Sequence, residues 1–127
     1  MIALFGSGGE RDIKKRPLQG QVAARFCDIL VLTDEDPRQE DSMSILNMIA
    51  DGAEKEGNIK DKDMFLISDR MEAIKKAFAI AQKDDIVLLL GKSHENSIIF
   101  KDRVMPYDEI SQAKKTLEEM GYKENKK

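Results

Sequence analysis

"DILVLTDEDPR", residues 28–38, is the stretch on which the fold turns. Positions 29–32 are apolar without alternation, and the run halts at an acidic turn that ends in Pro37 and Arg38. A strand with one wet face alternates polar and apolar residues. An unbroken run suits a strand covered on both faces, as in a parallel sheet. Three other runs have the same form: "IALF" (2–5) stops at "GSGGERD", "MFLI" (64–67) at "SDR", and "DIVLLL" (85–90) at "GKSHE".

Helical patterns separate these runs. Pro17 suits the first turn of a helix that reaches about Phe26, with Leu18, Val22 and Phe26 on one face. Asp41 or Ser42 caps a second helix that turns Ile45, Met48, Ile49 and Ala53 inward and ends before Gly57. Asp69 caps a third, with Met71, Ile74, Phe78 and Ala81 at helical spacing. A last helix starts near Asp108 and carries Ile110, Ala113, Leu117 and Met120. All four stripes are expected to be core. "SIIFKDRVMPY" (97–107) reads as a hairpin about Lys101-Asp102, and "KENKK" (123–127) as a solvated tail. The expected architecture is α/β: a three-layer Rossmann-like domain, residues 1–127, with a mainly parallel sheet of about four strands plus a C-terminal hairpin. In such sheets ligands bind at the edge where the strands end. Arg11, Asp36, Arg38, Lys92, His94 and Glu95 should meet there.

The totals narrow the function. At 127 residues there is room for one domain with a real core, and a net charge of −3 offers no basic face for nucleic acid. A lone cysteine, Cys27, forms no internal disulfide and suits a reducing cytosol as a buried structural thiol. No apolar run is long enough to cross a membrane, and residues 1–5 do not read as a signal peptide, so a cytoplasmic location is expected.

The loops invite nucleotide readings, and these fail. A P-loop ending at Gly91-Lys92-Ser93 needs a glycine five residues earlier, where Ile86 stands, and a helix afterwards, where strand-like "NSIIF" follows. "GSGGER" lacks the third glycine of the dinucleotide fingerprint, because Arg11 occupies it. Its glycines make a tight turn and let backbone approach a ligand, while Arg11, Lys14, Lys15 and Arg16 make the loop positive. Asp34, Glu35 and Asp36 follow the second strand rather than the first, which argues against a receiver-type Mg²⁺ site. His94, the single histidine, makes neither a metal site nor a catalytic triad. Acids beside guanidiniums suit a zwitterion: an amino acid with ammonium and carboxylate ends.

Four motifs, "GSGGERDIKKRPLQG", "TDEDPRQED", "DRMEAI" and "GKSHE", together resemble the C-terminal domain of the MurE-type Mur ligases, over nearly the whole chain and in order. The family pattern runs roughly G-C-G-G-D-R-D-x-x-K-R-P-x-M-G, T-x-D-N-P-R-x-E-D, D-R-x-x-A-I, G-K-G-H-E. The resemblance implies ATP-dependent addition of a diamino acid, meso-diaminopimelate or lysine, to UDP-MurNAc-L-Ala-D-Glu in peptidoglycan synthesis. It implies diamino-acid contacts from Arg11, Glu35, Asp36, Arg38, Gly91 and Glu95, with Lys92, His94 and Arg16 in support, and no catalytic or metal-binding residue. Glu35-Asp36 departs from the family's Asp-Asn, and Ser93 from its glycine. Lysine has no distal carboxylate to pair Arg38, and a buried arginine left unpaired costs about 3–5 kcal/mol, which favours diaminopimelate.

The family's domain starts earlier than this chain, with a further strand–helix unit, and is preceded by UDP-binding and ATPase domains. ATP and Mg²⁺ belong to that full-length context and no cofactor to this chain, which alone should not ligate. The surface left by the missing unit makes a homodimer an expected outcome. A standalone, non-catalytic binding or interaction module of the same fold is the alternative. A phosphate-binding enzyme is weaker, because no general base or nucleophile accompanies the glycine loop.

Overall fold

The computed structural model describes residues 1–9, 13–91, 97–99 and 103–121. The elements run β1 (Ile2–Phe5), α1 (Lys15–Phe26), β2 (Ile29–Leu32), α2 (Ser42–Lys55), β3 (Met64–Leu66), α3 (Arg70–Ile80), β4 (Val87–Leu89), β5 (Ser97–Ile99), β6 (Val104–Pro106) and α4 (Glu109–Glu119). The first four strands form a parallel sheet in the order β3-β2-β1-β4, and β5 and β6 pair antiparallel. This is the α/β architecture expected, hairpin included. The turn of that hairpin at Lys101-Asp102 and the tail from 122 onward lie outside the described residues.

Capping residues set the helix starts. The Asp41, Asp69 and Asp108 carboxylates accept hydrogen bonds from the free N–H groups of the first turns of α2, α3 and α4. The sheet then buries both faces. Ala3, Phe5, Leu30 and Leu32 pack beneath α2 with Ile45, Leu46, Ile49 and Ala53. Ile2, Leu4 and Val31 pack on the other side with Ala73, Ile74 and Ala77 of α3, Ile98 of the hairpin and Tyr107.

Two helices depart from expectation. Leu18, Val22 and Phe26 of α1 are not core: they are 58%, 53% and 75% exposed. The buried residues of α1 are Arg16 and Gly20, with Ala23, Ala24 and Cys27 half-buried beside them. The reason is the closeness of α1 to α2. A Cβ on Gly20 would stand 2.0 Å from the Ile49 carbonyl oxygen, and one on Gly52 only 1.8 Å from that of Pro17. Backbones this near admit a face of small residues and turn the large ones outward. There they line, with Leu88 and Leu90, an apolar groove of about 620 Å³ between α1 and β4. Cys27 also borders this groove; it is half-buried, and burial raises its thiol above the ordinary value.

In α4 the expected stripe of Ile110, Leu117 and Met120 is likewise exposed, and the buried residues are Glu109 and Thr116. Both polar groups are satisfied. The Thr116 hydroxyl donates to the Gln112 carbonyl at 2.9 Å, and Glu109 meets an arginine described below.

The α1–α2 contact gives a sign test. Alanine at a helix-interior glycine ordinarily gains roughly 1 kcal/mol. At Gly52 overlap with Pro17 should reverse this to a net loss of about 2 kcal/mol. It would be read as a lower urea midpoint at unchanged m-value. A more stable Gly52→Ala protein would contradict the close crossing.

Candidate functional site

The loops that leave β1, β2 and β4 gather at the carboxyl edge of the sheet, and glycines let them touch. A Cβ at Gly6 would fall 2.0 Å from the Thr33 carbonyl oxygen, and one at Gly9 1.8 Å from that of Pro37. The Gly9 N–H donates to the Asp36 carbonyl at 2.6 Å. Gly6 and Gly9 thus bring the glycine loop onto the backbone of the acidic loop.

A buried arginine reinforces this contact. The Arg16 guanidinium donates to Glu40 Oε2 at 2.7 Å and Oε1 at 2.8 Å, and to the Gly8 carbonyl at 3.1 Å. Arg16 is fully buried. It therefore ties the first loop to the far end of the second, with its guanidinium facing protein. Its Nε has no hydrogen-bond partner among the described residues.

A second buried arginine, to which the sequence reading gave no role, ties the second loop to the third. Arg70 Nη1 donates to the Asp34 carbonyl at 2.8 Å and Nη2 to the Leu90 carbonyl at 2.7 Å. Its Nε and Nη2 also grip Glu109 Oε1 and Oε2 at 2.8 and 2.7 Å. The Tyr107 hydroxyl donates to Glu109 Oε1 at 2.7 Å, and burial together with that carboxylate raises the Tyr107 pKa. One signal was available. A cation at the first position of a helix opposes the helix dipole, so Arg70 after the Asp69 cap called for a compensating partner.

The expected ligand residues fall in three groups. Glu35, Asp36, Arg38 and Gly91 share this edge. The Glu35 carboxylate, half-buried, lies 3.2 Å from where a Gly91 Cβ would stand, so the second and third loops meet across β1. Asp36 is buried, and its carbonyl holds the glycine loop. Arg38 is half-buried at φ +55°, a left-handed conformation that costs a side-chain-bearing residue about 1–2 kcal/mol. Its guanidinium has no hydrogen-bond or ion-pair partner among the described residues. Gly91, at φ +99°, suits glycine. Arg16 forms the second group, buried beneath the loops. Arg11, Lys92, His94 and Glu95 lie outside the described residues.

Asp34 faces the other side of the edge, where Ser42, Ser68, Asp69 and Arg103 surround a polar recess of about 250 Å³. Burial pushes its carboxyl up to about 6, with Asp69 adding to the rise and the Ser42 hydroxyl and Arg70 opposing it.

The comparisons with known proteins meet this geometry. The family described as "Mur ligase, glutamate ligase domain" matches residues 1–93. The chain belongs to the Mur ligase family, as its C-terminal domain. Among its relatives, a UDP-N-acetylmuramyl-tripeptide synthetase from Treponema denticola is 61% identical over 117 residues, which is 92% of this chain and 22% of that protein. One of the same name from Roseiflexus sp. is 53% identical over 122 residues, 96% of this chain and 24% of that protein. A UDP-N-acetylmuramoyl-L-alanyl-D-glutamate--2,6-diaminopimelate ligase from Caldanaerobacter subterraneus is 42% identical over 118 residues, 93% of this chain and 24% of that protein. A solved structure with that same ligase name superimposes at TM-score 0.84 and 34% identity, over 96% of this chain and 24% of its own. The chain thus spans a quarter or less of the length of the Mur ligases it matches. No described helix is long and apolar enough to cross a membrane.

Two outcomes follow for the Mur ligase edge. Glu40→Ala leaves Arg16 buried without its carboxylate and should cost about 3 kcal/mol, read by urea unfolding; a loss under about 1 kcal/mol would mean the clamp is not closed. For Asp34 the folded pKa of about 6 lies above the ordinary 3.8, so between those values the folded state keeps a proton the unfolded chain has released. This contribution is full below about pH 4 and is lost as pH rises to about 6. Asp34→Asn should gain on the wild type across that window, and the difference should level off above it.

Proposed function

We propose that this chain is the diamino-acid-recognition part of an ATP-dependent ligase that adds meso-diaminopimelate, or lysine, to UDP-MurNAc-L-Ala-D-Glu. The observation that carries the reading is Arg38: a half-buried residue in a left-handed backbone, its guanidinium without a partner among the described residues, on the same acidic loop as Glu35 and Asp36. A carboxylate fits it in a forked pair. Glu35 and Asp36 supply further contacts to the zwitterion, and the sequence motifs assign Arg11 and Glu95 to the same ligand, with Lys92 and His94 in support. Such a set binds and orients an amine; it does not activate an acid. ATP, Mg²⁺ and the UDP-MurNAc-dipeptide are therefore assigned to other domains of the full-length ligase, which acts in the cytoplasm.

Diaminopimelate is the favoured substrate, since its distal carboxylate pairs Arg38 and lysine has none to offer. The departure Asp36, an acid where the family pattern has Asn, adds negative charge to the same loop and suits an ammonium. The alternative, a standalone non-catalytic binding module, draws on the apolar groove lined by Leu18, Val22 and Phe26. We assign that groove instead to the strand–helix unit with which the family's domain begins. On this assignment the isolated chain covers it by forming a homodimer, and light scattering reads that directly.

Titration calorimetry tests the recognition claim. The wild-type domain, within the full-length ligase, should bind meso-diaminopimelate more tightly than L-lysine. Arg38→Ala should reduce that preference by about tenfold or more, the worth of a charge-assisted hydrogen bond to a carboxylate. A preference unmoved by Arg38→Ala would contradict the assignment of the distal carboxylate.

A further inference from the structure

Strands β2 and β4 are not neighbours, because β1 runs between them. Two intervals of a regular sheet separate their ends by about 9.5 Å. Yet the carbonyls just past each strand, on Asp34 and Leu90, both accept from one guanidinium, that of Arg70. The β2 and β4 loops must lean toward each other over the end of β1. The Glu35 carboxylate against Gly91 records the same approach one residue further on. Gly6, where β1 ends, has its α-carbon pressed against the Thr33 carbonyl, as expected of a chain leaving through a narrowed gap.

Resting on the recognition reading above, we propose that Arg70 is a positioning residue. It fixes the separation of the β2 and β4 loops and thereby the length of diamino acid they accept. Arg70 does not touch the ligand. Its fork is aligned by Glu109 through two hydrogen bonds, and Glu109 in turn by Tyr107. All three residues are buried, so solvent does not compete for these bonds. The loops carry separate parts of the recognition set: Arg38 follows β2, and Gly91 follows β4. A diamino acid that spans the set is measured by the distance between them. Lysine at position 70 keeps the charge but loses the fork, so it cannot hold both carbonyls and Glu109 together.

Two measurements test this, on Arg70→Lys and on the milder Tyr107→Phe, which preserves the aromatic ring in the core. Amide hydrogen exchange on the chain needs no ligand. The Asp34 and Leu90 amides are both hydrogen-bonded in the fold, to Ser68 and Leu4. They should exchange about tenfold faster in Arg70→Lys, and by less in Tyr107→Phe, while amides of α2 keep their protection. A response in one loop only, or equally throughout the chain, would overturn the coupling. In the full-length ligase, Arg70→Lys should raise the KM for meso-diaminopimelate about tenfold, leave the KM for ATP unmoved, and narrow the preference over a homologue one methylene shorter. An unchanged length preference would overturn the ruler role. A wild-type ligase that uses neither diamino acid would sink the recognition reading and the length claim with it, and exchange would still decide the coupling.

Discussion

One guanidinium bridging two loops that the sheet would hold apart is the constraint on which the carboxyl edge depends. Arg70 reaches over the end of β1 to the carbonyls that follow β2 and β4. A buried ion pair such as Arg70–Glu109 adds little net stability, because desolvating both charges offsets their attraction. It is directional, however, and removing either partner strands a charge in the interior. The pair therefore enforces a geometry more than it deepens the free-energy well. Its consequence at the surface is the contact between Glu35 and Gly91.

Arg16 repeats the device on the other flank. Its carboxylate partner, Glu40, closes the acidic loop, and its carbonyl partner, Gly8, lies in the glycine loop. Three loops far apart in sequence are thus fastened pairwise by two arginines and by glycine contacts too close for any other residue. On the proposed reading, a rigid edge of this kind binds its amino acid with less ordering cost on association than mobile loops would require. Arg38 is held in a strained backbone by the same packing, as functional residues commonly are.

Much of this was legible. Unbroken apolar runs gave the four parallel strands, Asp41, Asp69 and Asp108 gave the helix starts, and the loop motifs gave the family. Other features were not, for physical reasons. Periodicity reports that α1 has an apolar face but not what covers it. Gly20 and Gly52 brought α1 and α2 so close that the small-residue face won, and Leu18, Val22 and Phe26 turned outward. In α4 a paired carboxylate, Glu109, and a self-satisfied hydroxyl, Thr116, took the interior from Ile110, Leu117 and Met120. The charges near the glycine loop did not reveal that Arg16 is fully buried with Glu40, a partner 24 residues away in the chain. Arg70 was passed over because its partners lie 20 to 39 residues away in the chain.

The most direct test is a crystal structure of the Mur ligase with meso-diaminopimelate bound. The account predicts a distal carboxylate on the Arg38 guanidinium, the rest of the molecule reaching toward Gly91, and both Arg16–Glu40 and Arg70–Glu109 intact beneath it. A ligand that contacts Arg16 or Arg70 directly with those pairs broken, or one lodged in the apolar groove beside Val22, would contradict it.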